Sequence, residues 1–294
     1  MKIIADQNIP GLDGRLSDEV ELLRLPGRQI DAASVRDATA LLVRSVTPVD
    51  AKLVAGSTLR FVGSATAGID HIDREALAAA DIAFAHVPGS NANAVVEYVI
   101  AAIASVENYL DRLQQGGRVG VVGYGHVGRT LIARLSALGI GTLTYDPWLD
   151  PADVPGDAAL ADVLACDVVT LHPELTDRQP FPSRHLLDEG ALGAFTQDQL
   201  LINASRGEVI DNHALCLRLQ QPQAPRVVLD VWEGEPVVDP ALLRRVDIGT
   251  PHVAGYSLDG KLRGMWMLID ALAKCCPQAV QRTGNSQNSG RRLL

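Results

Sequence analysis

Val119-Gly120-Val121-Val122-Gly123-Tyr124-Gly125-His126-Val127-Gly128-Arg129 decides the fold. Val119–Val122 reads as a buried strand, glycines follow at GxGxxG spacing, and Leu131, Ile132, Leu135 and Leu138 recur at helical spacing from Arg129. A glycine hexamer alone arises by chance, but between a strand and a helix it is a dinucleotide-binding fingerprint. Gly123 permits the tight turn, Gly125 lets a pyrophosphate approach the backbone, and Gly128 lets helix and strand pack closely. The amides of His126 and Val127 open the helix, where its dipole favours an anionic phosphate. The next strand-like run, Thr142–Tyr145, leads into Asp146. A carboxylate there accepts hydrogen bonds from the adenine ribose and repels a 2′-phosphate. Pro147 and Trp148 follow with no arginine, so the cofactor is read as NAD rather than NADP.

Working outward, further short β runs at Val168–His172, Leu200–Asn203, Val227–Val231 and Asp247–Gly249 alternate with helical patterns. Among the latter is Ala214–Leu219, with Asn212 as its expected cap. Upstream, Lys2–Ala5, Ala40–Arg44, Arg60–Ser64 and Ile82–Val87 read as strands, with helices at Val49–Ala55 and Asp73–Ala80. Asn91 opens a long apolar helix to about Leu110, broken by Gly116-Gly117. The predicted class is α/β, with two Rossmann-like or flavodoxin-like parallel-sheet domains. Residues 1–91 form the first part of a substrate domain and 92–256 a dinucleotide-binding domain inserted into it. Residues 257–276 supply a helix returning to the first domain, and 277–294 are expected to form a disordered, polar tail.

Composition agrees. A length of 294 residues suits about two domains. With 26 Lys and Arg against 35 Asp and Glu, the charge of −9 gives no general attraction for nucleic acid or an anionic membrane. Cys166, Cys216, Cys275 and Cys276 lack metal-ligand spacing, so no metal is expected and free thiols in a reducing cytoplasm are. Lys2 leads straight into a strand without a signal-peptide pattern, and Ala92–Val106 carries Glu97 and is too short to span a bilayer.

Three polar residues follow predicted strands, at the sheet edge where ligands of open α/β sheets bind: Arg206, Glu235 and His252. An imidazole can take the hydroxyl proton of a 2-hydroxy acid while a hydride leaves C2. A carboxylate beside it fixes its tautomer, and a guanidinium binds the substrate carboxylate in a fork. Asp230 is placed to orient a nicotinamide carboxamide. Singly, each residue has an ordinary structural reading, and their joint placement beside the glycine loop argues for chemistry. Arg44, Ser45 and Thr47 follow a strand and read equally as an anion site or a capped helix start. Gly68 reads as a backbone approach to an anion or as a turn glycine.

Over residues 1–276 the chain resembles the D-2-hydroxyacid dehydrogenases, through the glycine loop, Asn203–Leu215, Asp230–Pro236 and Thr250–Gly255. The resemblance is strongest to members acting on a small phosphorylated 2-hydroxy acid. It is carried by Lys2–Pro10 (KIIADQNIP), Val43–Thr47 (VRSVT), Gly63–Asp73 (GSATAGIDHID), Pro88–Val99 (PGSNANAVVEYV) and Asp247–Gly264 (DIGTPHVAGYSLDGKLRG). Tyr256 stands where most of the family has a small residue. The resemblance implies Arg206, Glu235 and His252 as active-site residues and Ser45, Thr66 and Tyr256 as substrate contacts. It also implies that Asp146, Asp230 and Gly255 touch NAD. His172-Pro173-Glu174-Leu175 departs from the usual His-Thr-Pro-Leu, which implies a lost threonine contact and weaker cofactor affinity. The members it most resembles continue into a C-terminal dimerisation domain that the tail to Leu294 does not resemble; a homodimer through the helix from Ala92 is the remaining expectation. On residues alone two rivals stay open: a dehydrogenase of 3-phosphoglycerate or hydroxypyruvate, and an NAD-sensing binding protein on the same scaffold.

Overall fold

In β1 (Lys2–Asp6), Ile3 and Ala5 pack into one buried cluster and Ile4 into another, so the strand is covered on both faces. That is the signature of a parallel sheet with helices on either side. The computed structural model describes residues 1–281 and divides into two units, Met1–Asn91 with the segment from Ser257 onward, and Ala92–Tyr256.

The first unit has five parallel strands, β1, β2 (Glu21–Leu25), β3 (Ala40–Val43), β4 (Phe61–Ser64) and β5 (Ala83–Ala85), in the order β2-β1-β3-β4-β5. The edge strand β2 is absent from the sequence reading: its three leucines lack the β-branched bias that marks strands. The helix Leu258–Cys275, whose N-cap Ser257 accepts from the Gly260 amide at 3.0 Å, belongs to this unit. Its buried stripe Met265, Leu268, Ile269 and Leu272 packs with Ile3, Leu42 and Phe61. A Cβ on Gly63 would lie 2.5 Å from Leu268 Cδ1, so helix and sheet approach as closely as glycine allows. The tail expected from residue 277 does not begin there. Pro277–Ala279 form a 3₁₀ turn, Ala279 is fully buried, and Val280 bridges to Leu16, because this short apolar stretch closes the same cluster. The rest of that expected tail lies outside the described residues.

The second unit has six parallel strands: β6 (Arg118–Val122), β7 (Gly141–Tyr145), β8 (Val168–Leu171), β9 (Leu200–Asn203), β10 (Arg226–Leu229) and β11 (Ile248–Gly249). Their order is β11-β10-β9-β8-β6-β7. One face buries Val119, Val121, Ile202 and Val228 against Val96, Val99, Leu131 and Leu135, and the other buries Val169, Leu171, Leu201 and Leu229 against Leu192, Leu215 and Leu242. Strand order reverses between β6 and β8, and such switch points open the crevice in which doubly wound sheets hold ligands. The predicted long helix from Asn91 is two helices, Ala92–Ser105 and Tyr109–Gln114, interrupted where Glu107 takes φ 41°. The four cysteines are unpaired. Among the described residues, no helix is long and apolar enough to cross a membrane.

Candidate active site

The glycine loop sits at the β6/β8 switch point. Gly123 has φ +96°, and a Cβ there would lie 2.7 Å from the backbone of His172 and 2.8 Å from Pro173 N. A Cβ on Gly128 would lie 2.1 Å from Gly123 O, so the helix His126–Ala137 presses directly onto the turn. At Gly125 a Cβ would meet nothing within 4 Å: the loop is open on this side, as close approach of a pyrophosphate requires. His126 is exposed beside it, at the helix N-terminus, and Val127 follows half-buried. Asp146 accepts from the Tyr124 amide at 2.8 Å and the Trp148 amide at 3.1 Å, so its carboxylate holds the loop in shape at the end of β7. The residues present fit a bound dinucleotide.

The loops after β9, β10 and β11 carry Arg206, Glu235 and His252. His252 Nδ1 lies 2.8 Å from Glu235 Oε2. An ionised carboxylate only accepts, so Nδ1 carries the hydrogen and Nε2 is the ring's acceptor nitrogen. The His252 side chain is 49% exposed and open to a ligand. Glu235 Oε1 accepts from the Trp232 amide at 2.8 Å, and the Trp232 indole donates to Thr250 O at 2.9 Å, which joins the two loops. Burial pushes the Glu235 carboxyl up, but hydrogen bonds from His252 and the Trp232 amide, with the charges of His252 and Arg206, together hold it below its usual range. The hydrogen bond to Glu235 raises His252 above the ordinary histidine value, against burial and the Arg206 charge. Arg206 donates Nη1 to Ser205 O at 2.8 Å and is half-buried.

Asp230, expected from the sequence to contact a ligand, has a structural part. It is almost completely buried, and its Oδ1 accepts from the Thr250 hydroxyl (2.5 Å) and the Val253 amide (2.8 Å). Its Oδ2 accepts from the Ala254 amide at 2.8 Å, and its carbonyl accepts from the His252 amide at 2.7 Å. Tyr98 Oη lies 2.7 Å from Thr250 Oγ1 and donates, since the threonine hydrogen is spent on Asp230. This network holds His252 at φ 55°, a left-handed conformation uncommon outside glycine. Gly255 and Tyr256 follow the loop; the Tyr256 amide donates to Val253 O at 2.8 Å, and its side chain is exposed.

In the first unit, Ser45 is exposed after β3. Thr47 is not available to an anion: it is 1% exposed and donates to Gly27 O at 2.8 Å, while Asp50, not Thr47, caps the helix that follows. Thr66 Oγ1 donates to Gly68 O at 2.9 Å and lies 2.8 Å from Ser64 Oγ, which lies 3.0 Å from His71 Nε2. With the Thr66 hydrogen committed, Ser64 donates to Thr66 and His71 Nε2–H donates to Ser64. After β8, burial pulls His172 down to about 4, so it is neutral, and its Nε2 lies 2.9 Å from Thr170 Oγ1. Beyond Pro173 the loop folds on Ser183, whose hydroxyl donates to Glu174 O at 2.6 Å and accepts from the Thr176 amide at 2.8 Å. Thr176 is thus held within its own loop, its hydroxyl accepting from the Arg178 amide at 3.1 Å.

The second unit's doubly wound sheet, glycine loop and His–Glu pair at the carboxyl edge define a dinucleotide-dependent dehydrogenase. Residues 99–254 match the D-isomer specific 2-hydroxyacid dehydrogenase NAD binding domain, and the chain belongs to that family, with NAD as its cofactor. It is 48% identical over 284 residues to an erythronate-4-phosphate dehydrogenase of Cellvibrio japonicus, covering 95% of this chain and 74% of the relative. It is 45% identical over 276 residues to one of Escherichia coli O157:H7, covering 93% and 73%. In fold it is similar to a D-lactate dehydrogenase from Aquifex aeolicus complexed with NAD and lactic acid (TM-score 0.76, 20% identity, 95% of this chain and 96% of that one).

Proposed function

We propose that this chain oxidises 4-phospho-D-erythronate at C2 to (R)-3-hydroxy-2-oxo-4-phosphobutanoate with NAD, a step of pyridoxal 5′-phosphate (vitamin B6) synthesis in the cytoplasm. The observation that carries the reaction is the 2.8 Å His252–Glu235 contact, with Nε2 left as acceptor on the sheet edge that also bears the glycine loop. The names of the relatives carry the substrate. Gly123, Gly125, Gly128 and the amides of His126 and Val127 hold the pyrophosphate, Asp146 the adenine ribose, and Asp230 and Gly255 the nicotinamide end. Bound NAD supplies the hydride acceptor. His252 Nε2 takes the C2 hydroxyl proton, Glu235 stabilises the resulting imidazolium, and Arg206 holds the substrate carboxylate and the C2 oxygen as it becomes a carbonyl. Ser45, Thr66 and Tyr256 contact the substrate. The working form is a homodimer, which light scattering would test.

Purified chain given NAD and 4-phospho-D-erythronate is expected to generate NADH fluorescence, with little or none from 3-phosphoglycerate. Turnover of 3-phosphoglycerate alone would move the substrate, and NADH binding without turnover of either would replace the enzyme by a binding protein.

The pH dependence follows from the charge around His252. Oxidation needs the neutral imidazole, and Glu235 favours the charged one. The acid limb of kcat/KM for oxidation is therefore expected at higher pH than an ordinary histidine would give, about 6.5. Reduction of the 2-oxo acid needs the imidazolium and should instead fail on the alkaline side of the same pKa. In Glu235→Gln both limbs should move to lower pH; limbs that stay in place would show that Glu235 does not set the base.

A further inference from the structure

We propose that Asn212 is a positioning residue, tying the segment that carries Arg206 to the loop that carries Glu235 through its side-chain amide. The inference rests on the roles given above to Arg206, Glu235 and His252. The sequence marks Asn212 as a helix cap, but Asp211 does that work: its Oδ1 accepts from the Ala214 amide at 2.9 Å. Asn212 is left to turn back toward the strand ends. Its Nδ2 donates to Ile210 O at 2.9 Å and Gly207 O at 3.3 Å, while its Oδ1 accepts from the Glu233 amide at 3.2 Å. Its own backbone N–H, an unpaired donor of the helix's first turn, goes to Glu233 Oε2 at 3.2 Å. Gly207 adjoins Arg206, and Glu233 stands two residues before Glu235.

These two segments touch backbone to backbone. A Cβ on Gly207 would lie 2.0 Å from Trp232 C and 2.4 Å from Glu233 N, so no side chain separates them. The β9–β10 ladder registers them only as far as Asn203 and Leu229, with the Asp230 amide donating to Asn203 O; beyond it the Asn212 side chain offers donors to one segment and an acceptor to the other. His185 braces Glu233 from the far side, with Nε2 2.8 Å from Glu233 Oε1 and Nδ1 3.9 Å from Asp211 Oδ2. His185 itself has φ 49°, and its backbone N–H donates to Glu208 O at 2.7 Å. A loop shift of about 1 Å would carry Glu235 Oε2 out of hydrogen-bond range of His252, and misplacement on that scale costs on the order of 100-fold in rate.

The test uses the full chain with Asn212→Ala and Asn212→Ser, both of which keep the Asp211 cap, and Asp211→Ala as the control for lost stability. The His252 imidazole is titrated by NMR with labelled histidine, its signal assigned by its disappearance in His252→Asn. The charged groups facing His252 are Glu235, Asp230 and Arg206, and the groups around Asn212 are Glu233, His185 and Asp211; every one of them remains in the Asn212 variants. In both, the His252 midpoint is expected to fall toward the ordinary value of about 6.5, and kcat to fall about 10- to 100-fold, with the NADH Kd within about twofold of wild type. Asp211→Ala should melt earlier with the His252 midpoint unmoved. An unmoved midpoint in folded Asn212 variants, or an equal shift in Asp211→Ala, overturns the proposal. Absence of turnover in the wild-type chain would instead overturn the proposed reaction, and the titration would still decide the role of Asn212.

Discussion

His252→Asn is expected to reduce kcat by about 10²- to 10⁴-fold, the usual contribution of a positioned acid–base group and some 3–5 kcal/mol of barrier. Asparagine suits the test better than alanine, because residue 252 sits at φ 55° and asparagine tolerates the left-handed region. The loop should keep its shape, since Asp230 holds it through the backbone amides of residues 252–254 and the Thr250 hydroxyl and not through the imidazole. NADH binding, read by fluorescence titration, should therefore survive while turnover collapses. Weak NADH binding with kcat preserved at saturation would remove His252 from the chemistry and make it a cofactor contact.

The second large effect is expected at the glycine loop, where two alanine substitutions should fail in different ways. In Gly128→Ala the new methyl would lie 2.1 Å from Gly123 O, and a backbone oxygen in a packed turn cannot step aside as a side-chain tip can. Overpacking of this kind costs about 1–3 kcal/mol, so the melting temperature should drop by several degrees and NADH affinity by at least about tenfold. In Gly125→Ala the methyl meets no protein atom within 4 Å, so the fold should melt as wild type while the methyl stands in the pyrophosphate's approach and weakens NADH binding. Calorimetry and NADH titration on the two variants give the comparison. Equal melting of Gly128→Ala and wild type would show that the helix does not bear on the turn.

The second unit was largely legible because each of its strands is a short β-branched or leucine run ending in polar or glycine residues. Leu200–Asn203 agrees with the sequence expectation to the residue, and the helix Leu258–Cys275 of the first unit lies one residue inside each end of the expected 257–276. The edge strand Glu21–Leu25 was hidden because its leucines suit a helix equally well, and only pairing with β1 fixes it as extended. The break after Ser105 depends on one residue, Glu107, adopting a positive φ, which no local composition announces. At the site, Arg206, Glu235 and His252 could be picked out because strand ends are where chemistry gathers in this class of sheet. Thr47, Asn212 and Asp230 were harder. Each has at least one hydrogen-bond partner some twenty residues away along the chain (Gly27, Glu233 and Thr250 respectively), so its role is settled by tertiary contact as well as by its neighbours. Asn212 is the sharpest case: Asp211 and Asn212 are both good cap residues, and the structure gives the cap to Asp211 while Asn212 bonds to Ile210, Gly207 and Glu233.

Asp230 gives the loop after β11 an unusual kind of order. The loop has no regular ladder to keep it in place, yet three consecutive amides, of His252, Val253 and Ala254, are all taken up by one residue. His252, the proposed base, is therefore set in position when the chain folds, not when a ligand arrives. The proposed proton transfer then asks little backbone rearrangement of this loop, and the same buried carboxylate makes the loop intolerant of insertions: one extra residue between Thr250 and Ala254 would leave a desolvated negative charge short of its donors.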